Sequence, residues 1–313
     1  MNSSSYLQSE HKAKLGLGTA QFGLQYGVTN GNGQVTLNDV REIIAGAALY
    51  DVMTLDTAAA YGNSEEVLGM TLPISQPWQI VTKTQPRTAS TGTLLTVTEV
   101  RARFERSLEL LRRDSIDAVL VHHAADLLAP DGDELYSTLT MLKAIGKVKK
   151  IGVSVYHASE IDAILARYPI DIIQLPFSAL DQRLAQSGHL AGLDAAGIEI
   201  HVRSVFLQGT LLIEPKLLPS HLKQLAEPLT ELQMKWHELG MNPLAGALSE
   251  VLFRPEIDRV IVGVTSPGEW LAIIRAYVQA QYTDKVMPGT RITNEQLIDP
   301  SQWGTLLTAV HGG

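Results

Sequence analysis

Asp56 and Tyr61 stand in the stretch LDTAAAYGNSEEVLG, residues 55–69. A carboxylate and a phenol at this spacing suggest proton transfer, provided something draws the phenol's pKa down from ~10. Lys83 is such a group, because an ammonium close to a phenol favours the phenolate. Moving a phenol from ~10 towards ~7 requires ~4 kcal/mol of differential stabilisation, within reach of one desolvated cation and a hydrogen bond. Asp56 would hold Lys83 charged and oriented. His122 would orient a carbonyl or the hydrogen-bond network of the phenol. None of these groups carries electrons, so the reaction needs a hydride-donating cofactor or an enolisable substrate.

These residues must be brought together by elements that end beside them. Apolar runs at 52–55, 78–82 and 118–121 read as strands, and Asp56, Lys83 and His122 each follow one of them. Tyr61 lies one short loop further on, before a helix over 64–70. Further strands are read at 15–19, 150–154, 170–174, 198–202 and 259–262. Helices are expected at 36–50, 98–112, 133–145, 159–167, 181–196, 221–239, 243–253 and 267–279. Eight strands alternating with helices predict a closed parallel (β/α)8 barrel, with all these strand ends on one face. The rival open sheet would want a GxGxxG turn after the first strand, and LGLGTAQFG lacks that spacing. A single barrel domain over 1–313 is expected, with 1–14 as a tail or cap and about 281–313 as an extension over the barrel mouth. The Gly- and Asn-rich segment 20–34 reads as a long functional loop.

Composition narrows the function. The chain has 313 residues, 45% hydrophobic and 19% charged, with 33 acidic and 25 basic residues and a net charge of -8. That balance argues against a nucleic-acid partner. With no cysteine, thiolate catalysis, disulfides and cysteine metal sites are excluded. No metal is expected, because HxH and HExxH are absent and the adjacent His122 and His123 would face opposite ways on a strand. The polar start MNSSSYLQSEHKAK and the lack of a long apolar run predict a cytoplasmic protein with no membrane association. Oligomeric state is not legible.

Asp56 to Gly69 resembles the second-strand motif of the aldo-keto reductase superfamily, which reads like DTAxxYGxSExxLG. Val81-Thr82-Lys83 resembles that family's lysine strand and Asp117 to His122 its histidine strand. Gly146 to Ser154 resembles the segment leading to the nicotinamide carboxamide, and Asp171 to Gln174 the strand with the carboxamide-binding glutamine. The resemblance covers about residues 15–280 and implies NAD(P)H-dependent reduction of an aldehyde or ketone, or the reverse. It implies that Asp56, Tyr61, Lys83 and His122 are catalytic, with Tyr61 as general acid or base. It places the cofactor on Gly18, Thr19, Ala20, Ser154, Gln174, Arg203, Ser204, Phe206, Gly209, Gly263, Thr265 and Ser266. Gln21, Phe22, Tyr26 and Trp303 are the expected contacts of a small carbonyl substrate.

The chain departs from the family pattern in places. Val155 follows Ser154 where an asparagine is usual, and Arg203 stands where an aromatic often stacks on the nicotinamide. A guanidinium can also stack on a ring. NADP-preferring members carry Lys or Arg near 262–269, whereas this chain offers Thr265, Ser266 and a helix N-terminus. Glu269 would repel a phosphate. The cofactor expected is therefore NADP with weak preference, NAD being accepted.

Taken singly, each residue has a plain reading: Asp56 a turn cap, Tyr61 packing, Lys83 a solvated charge, His122 one of a polar pair. Their occurrence at successive strand ends favours a site. A non-catalytic cofactor-binding regulatory subunit of the same fold is the alternative. An isomerase using Tyr61 and Lys83 for enolisation is a third, and would need no cofactor.

Overall fold

Apolar parallel strands buried on both faces, each followed by a helix, leave no exposed edge when the sheet closes on itself. The computed structural model describes residues 14–27, 30–31, 33–87, 95–280, 292 and 294–303. Its first half comprises β1 (Leu15–Gly18), α1 (Ala20–Gly23), α2 (Leu37–Leu49), β2 (Thr54–Asp56), α3 (Ser64–Thr71), β3 (Gln79–Lys83), α4 (Val97–Leu111), β4 (Ile116–Val121), α5 (Ala124–Leu128) and α6 (Gly132–Ala144). There follow β5 (Val148–Ser154), α7 (Ala158–Leu165), β6 (Ile172–Pro176), α8 (Arg183–Gln186), α9 (His189–Ala195), β7 (Glu199–Arg203), α10 (Ala226–Glu238), α11 (Pro243–Leu252), β8 (Arg259–Gly263) and α12 (Pro267–Ala280). Every strand pairs parallel with its successor and β8 returns to β1, giving a closed eight-strand barrel.

Local chemistry sets the helix limits. Thr36 Oγ1 accepts the Asp39 N–H at the start of α2, and Thr96 with Glu99 forms a capping box on α4. Three expectations shift. The helix read over 181–196 breaks into α8 and α9, because Gly188 adopts φ 80 between them. The helix read over 221–239 becomes a 3-10 segment, Ser220–Leu225, followed by α10. Pro228 has no N–H to donate and is tolerated only in a first turn, so α10 starts just before it. The loop read from Ala20 onward begins with the helical turn α1, and α5 follows β4 without having been expected.

Strand alternation sorts the side chains. Outward residues such as Leu17, Leu55, Val119 and Ile173 join the helices in the main core. Val81, Ala118, Leu120 and Ile172 form a separate apolar layer inside the barrel. Polar groups lie on both sides of that layer. At the base, Arg259 Nε donates to Thr54 Oγ1 at 3.1 Å, Thr54 Oγ1 donates to Gln79 Oε1 at 3.0 Å, and Lys150 pairs with Glu199. At the other end stand Asp56, Lys83, Ser154, Gln174 and Arg203.

The described part of the C-terminal segment lies beside loops at that same end. Glu295 accepts from Arg183 at 3.0 Å, Asp299 approaches His157 at 3.6 Å, and the Trp303 ring meets His221 with centroids 6.2 Å apart. The tail read at 1–14, apart from Lys14, and most of the extension read at 281–313 lie outside the described residues. Among the described residues no helix is long and apolar enough to cross a membrane.

Candidate active site

Asp56 and Lys83 are the last residues of the adjacent parallel strands β2 and β3; Asp56 is in register with Val81, and Lys83, two residues further on, faces the same interior side. Lys83 Nζ donates to both Asp56 oxygens, at 2.8 and 2.7 Å, and to the Thr57 carbonyl at 3.0 Å. Both residues are buried. Burial penalises the Lys83 ammonium, but the charge of Asp56, with smaller help from Tyr61, outweighs it and holds the pKa above the ordinary lysine value.

Tyr61 reaches the same place from a tightly fixed loop. A Cβ on Gly23 would lie 1.8 Å from the Tyr61 carbonyl oxygen, and one on Gly62, at φ 58, would lie 2.2 Å from the Gly23 carbonyl oxygen. Only glycine at both positions lets α1 and the Tyr61 turn touch backbone to backbone. Ser64, buried at the head of α3, ties this turn to β1 by donating to the Thr19 carbonyl at 2.8 Å. Lys83 Nζ then lies 5.1 Å from the centre of the Tyr61 ring. The His122 ring stands edge-on to Tyr61, with centroids 5.8 Å apart and planes at 85°. Burial, reinforced by Lys83, His123 and Arg203, pushes the His122 pKa down to about 3, so its imidazole is neutral at neutral pH.

These four groups line one cavity of about 460 Å³. Gly18, Thr19, Ala20, Ser154, Gln174, Arg203, Ser204, Phe206, Gly209, Gly263 and Thr265 lie on its wall, as do Gln21 and Tyr26. Three other expected residues lie off this wall. Ser266 caps α12 instead, its Oγ accepting the Glu269 N–H at 3.2 Å. Phe22 is fully buried in the core, and Trp303 is buried against His221. Both rings pack with the apolar side chains of the main core, off the cavity.

The cavity wall also holds groups that sequence reasoning missed. Tyr156, two residues beyond β5, lies under the Arg203 guanidinium, 4.1 Å from ring centroid to Cζ. Its place just past a strand end was the available signal. Gln208 lines the wall in a left-handed conformation, φ 52, close to Ser204 at φ 60 and Leu207 at φ 47. No residue type here announces such a conformation, because all three are non-glycine. Gln174 has an unexpected partner. Its Nε2 donates to Asp56 Oδ1 at 2.7 Å, across the barrel from β6 to β2.

Several wall atoms have unmet hydrogen-bonding capacity. Gln174 Oε1, Gln21 Oε1 and His122 Nδ1 are buried without a partner. A buried polar atom left in this state is costly unless a ligand or water meets it. Gln174 Oε1 is an acceptor suited to an amide N–H, and Gly263 keeps the β8 wall so close that a Cβ there would lie 2.7 Å from Gln21 Oε1. The donor and acceptor set thus fits a nicotinamide carboxamide.

The aldo/keto reductase family model matches residues 14–294. The chain belongs to the aldo/keto reductase family. It is 30% identical over 183 residues to Aldo-keto reductase YhdN of Bacillus subtilis, covering 56% of this chain and 53% of that one. It is 29% identical over 217 residues to the NADH-specific methylglyoxal reductase of Escherichia coli, covering 64% of this chain and 65% of the relative. The matches thus span between half and two thirds of these curated relatives. Among solved structures, the aldo-keto reductase AKR11C1 from Bacillus halodurans, in its holo form, superposes with a TM-score of 0.67 at 21% identity, over 94% of this chain and 91% of that one. At that identity the likeness speaks for the barrel fold alone. Aldo/keto reductases use nicotinamide cofactors, which accords with the donor set of the cavity.

Proposed function

We propose that this aldo/keto reductase interconverts aldehydes or ketones with alcohols and that it uses NAD(H) in preference to NADP(H). The observation that carries the first part is the buried contact of Lys83 with Asp56 at 2.7 Å, beside the Tyr61 ring, on the wall of a cavity. The substrate's carbonyl carbon accepts the hydride that a reduced nicotinamide supplies. Its oxygen accepts the proton of the Tyr61 hydroxyl. Lys83 stabilises the negative charge that then develops on the phenol oxygen, and Asp56 keeps Lys83 charged and aimed. Neutral His122 hydrogen-bonds the carbonyl oxygen and orients it. Gln174 would hold the carboxamide through Oε1, and Gln21 and Tyr26, on the same cavity wall, would contact the substrate.

Cofactor choice rests on Glu269. Its Oε2 accepts the Thr265 N–H at 2.6 Å at the start of α12, so a carboxylate already occupies the helix N-terminus. A second anion there meets like charge rather than a free donor. This favours a ribose hydroxyl over a ribose phosphate. The E. coli relative, described as NADH-specific, is in keeping with that choice.

The test is to mix NADH-loaded enzyme rapidly with a panel of short aldehydes and ketones and to follow cofactor fluorescence. Oxidation of bound NADH is expected. Tight binding without oxidation by any carbonyl would leave the non-catalytic cofactor-binding reading in its place. Comparing KM for NADH and NADPH should favour NADH by on the order of tenfold or more, as expected for one like-charge contact near a surface. Glu269→Lys should narrow or reverse that ratio. A wild-type preference for NADPH would overturn the cofactor assignment.

A further inference from the structure

Arg203 ends β7 with its side chain inside the barrel mouth. Its guanidinium is held on two sides, by Nη2 donating to the Val155 carbonyl at 3.1 Å and by the Tyr156 ring 4.1 Å from Cζ. Neither partner carries charge. Among the described residues no carboxylate pairs with it. A planar cation fixed against a ring loses little side-chain freedom, so its position is set before any ligand arrives.

The ionisable groups around it leave its charge uncompensated. Of the two carboxylates on the cavity wall, Asp56 is paired with Lys83 and bonded by Gln174, while Glu269 keeps its charge but is held at the start of α12 by the Thr265 N–H, and forms no ion pair with Arg203. Lys83 and Asp56 cancel. His122 is neutral at neutral pH. The positive charge of Arg203 is felt at Lys83, His122 and Tyr26, the groups that surround the reacting end of the cavity. Among the described residues that end therefore carries one net positive charge.

We infer that Arg203 makes this cavity discriminate between the two redox forms of its cofactor, binding the reduced form more tightly. The inference rests on the nicotinamide reading of the cavity. NAD⁺ and NADH are alike in shape and hydrogen bonding, and the nicotinamide ring is a cation in the first and neutral in the second. A fixed, unpaired guanidinium sharing a cavity of about 460 Å³ with that ring opposes the cationic form only. Two like charges on the order of 5–10 Å apart at an effective dielectric constant of about 20 change an affinity by on the order of ten- to a hundredfold. The functional consequence is directional. Carbonyl reduction leaves the oxidised cofactor in a site that repels it, which speeds its departure.

The experiment is equilibrium calorimetric titration of the full chain with NADH and with NAD⁺, without substrate, for the wild type, Arg203→Gln and Arg203→Lys. The wild type should bind NADH at least tenfold more tightly than NAD⁺. Arg203→Gln removes the charge and should bring the two affinities to within about threefold of each other, mainly by tightening NAD⁺. Arg203→Lys keeps the charge while losing the planar stack on Tyr156, so it should retain most of the discrimination and lose affinity for both forms. A wild-type ratio near one overturns the inference, and so does a ratio that Arg203→Gln leaves unchanged. If Arg203→Gln does not fold, the comparison of wild type with Arg203→Lys decides, and loss of discrimination in the lysine variant then overturns it. Failure of the wild type to bind either nucleotide would instead overturn the nicotinamide reading, and the inference with it.

Discussion

The barrel holds two charged clusters, one at each end of the same set of strands. At the base, Glu199 accepts from Lys150 and from His201 Nε2, the latter at 2.8 Å, while Arg259, Thr54 and Gln79 bond to one another. At the mouth, Lys83, Asp56 and Gln174 form an equally tight set. Both contain an ion pair, and both bridge strands that are not neighbours in the sheet. They differ in what lies next to them. None of the base residues lines the mouth cavity, whereas the mouth set opens onto it together with Tyr61, His122 and Arg203. A buried ion pair is by itself weak evidence of function. What distinguishes the mouth is uncommitted hydrogen-bonding capacity facing a space large enough for a ligand. Base and mouth therefore make different predictions for similar substitutions.

The largest expected effect is at the mouth. Tyr61→Phe should lower kcat for carbonyl reduction by about 10²–10⁴-fold, the range for loss of a positioned general acid. Cofactor affinity, read by calorimetry, should change less than about threefold, since the phenol acts on the proton rather than on the nucleotide. Turnover that survives this change would mean that another group is the acid, and the contrast between the two ends would lose its basis.

A third buried acid sharpens the comparison, because it has neither ion partner nor ligand cavity. Glu250 in α11 is buried and forms no ion pair among the described residues, with the Trp236 indole and the Arg254 guanidinium as its polar neighbours. Burial pushes its pKa up to about 7, with the Trp236 indole and the Arg254 guanidinium offsetting only part of this. The folded pKa lies above the unfolded one, so the protonated form is favoured and stability falls as pH rises from about 4.5 through 7. Glu250→Gln should therefore raise stability by about 3 kcal/mol at pH ~8 and leave it nearly unchanged at pH ~4, by denaturant unfolding at each pH. Equal effects at both values would show that the carboxyl is not held neutral.

At the base the sign is reversed. Burial opposes the Glu199 carboxylate, yet the bonds from His201 and Lys150 outweigh it and hold its pKa down at about 2. A depressed acid stabilises the fold above its unfolded pKa and loses that contribution as pH falls from about 4.5 through 2. Glu199→Gln should cost about 2 kcal/mol at pH 7, discounted for partial exposure, and flatten the acid limb of the stability profile. The smallest effect is catalytic. Lys150→Met should leave kcat within about twofold of wild type, as a substitution remote from a reacting group does, while Lys83→Met should reduce it severely. Comparable losses from both would erase the distinction between the two ends.

By itself the chain determined the βα alternation, hence the barrel, because buried parallel strands must be short apolar runs and each must be followed by a covering helix. It also marked Asp56, Lys83 and His122, because each stands at the end of such a run, and Glu269, because a carboxylate at a helix start is visible as a letter. It could not show what depends on side chains meeting across the barrel. That Gln174 spends its amide on Asp56, 118 positions away, follows from closure of β2 and β6 around one interior. That Arg203 lies on Tyr156, with no counter-ion among the described residues, follows from where β5 and β7 end relative to each other. Phe22 and Trp303, aromatic residues in segments that read as irregular in the sequence, could equally have faced a ligand or the core. Tertiary packing sent both to apolar neighbours, since a side chain's periodicity fixes its face only inside a regular element.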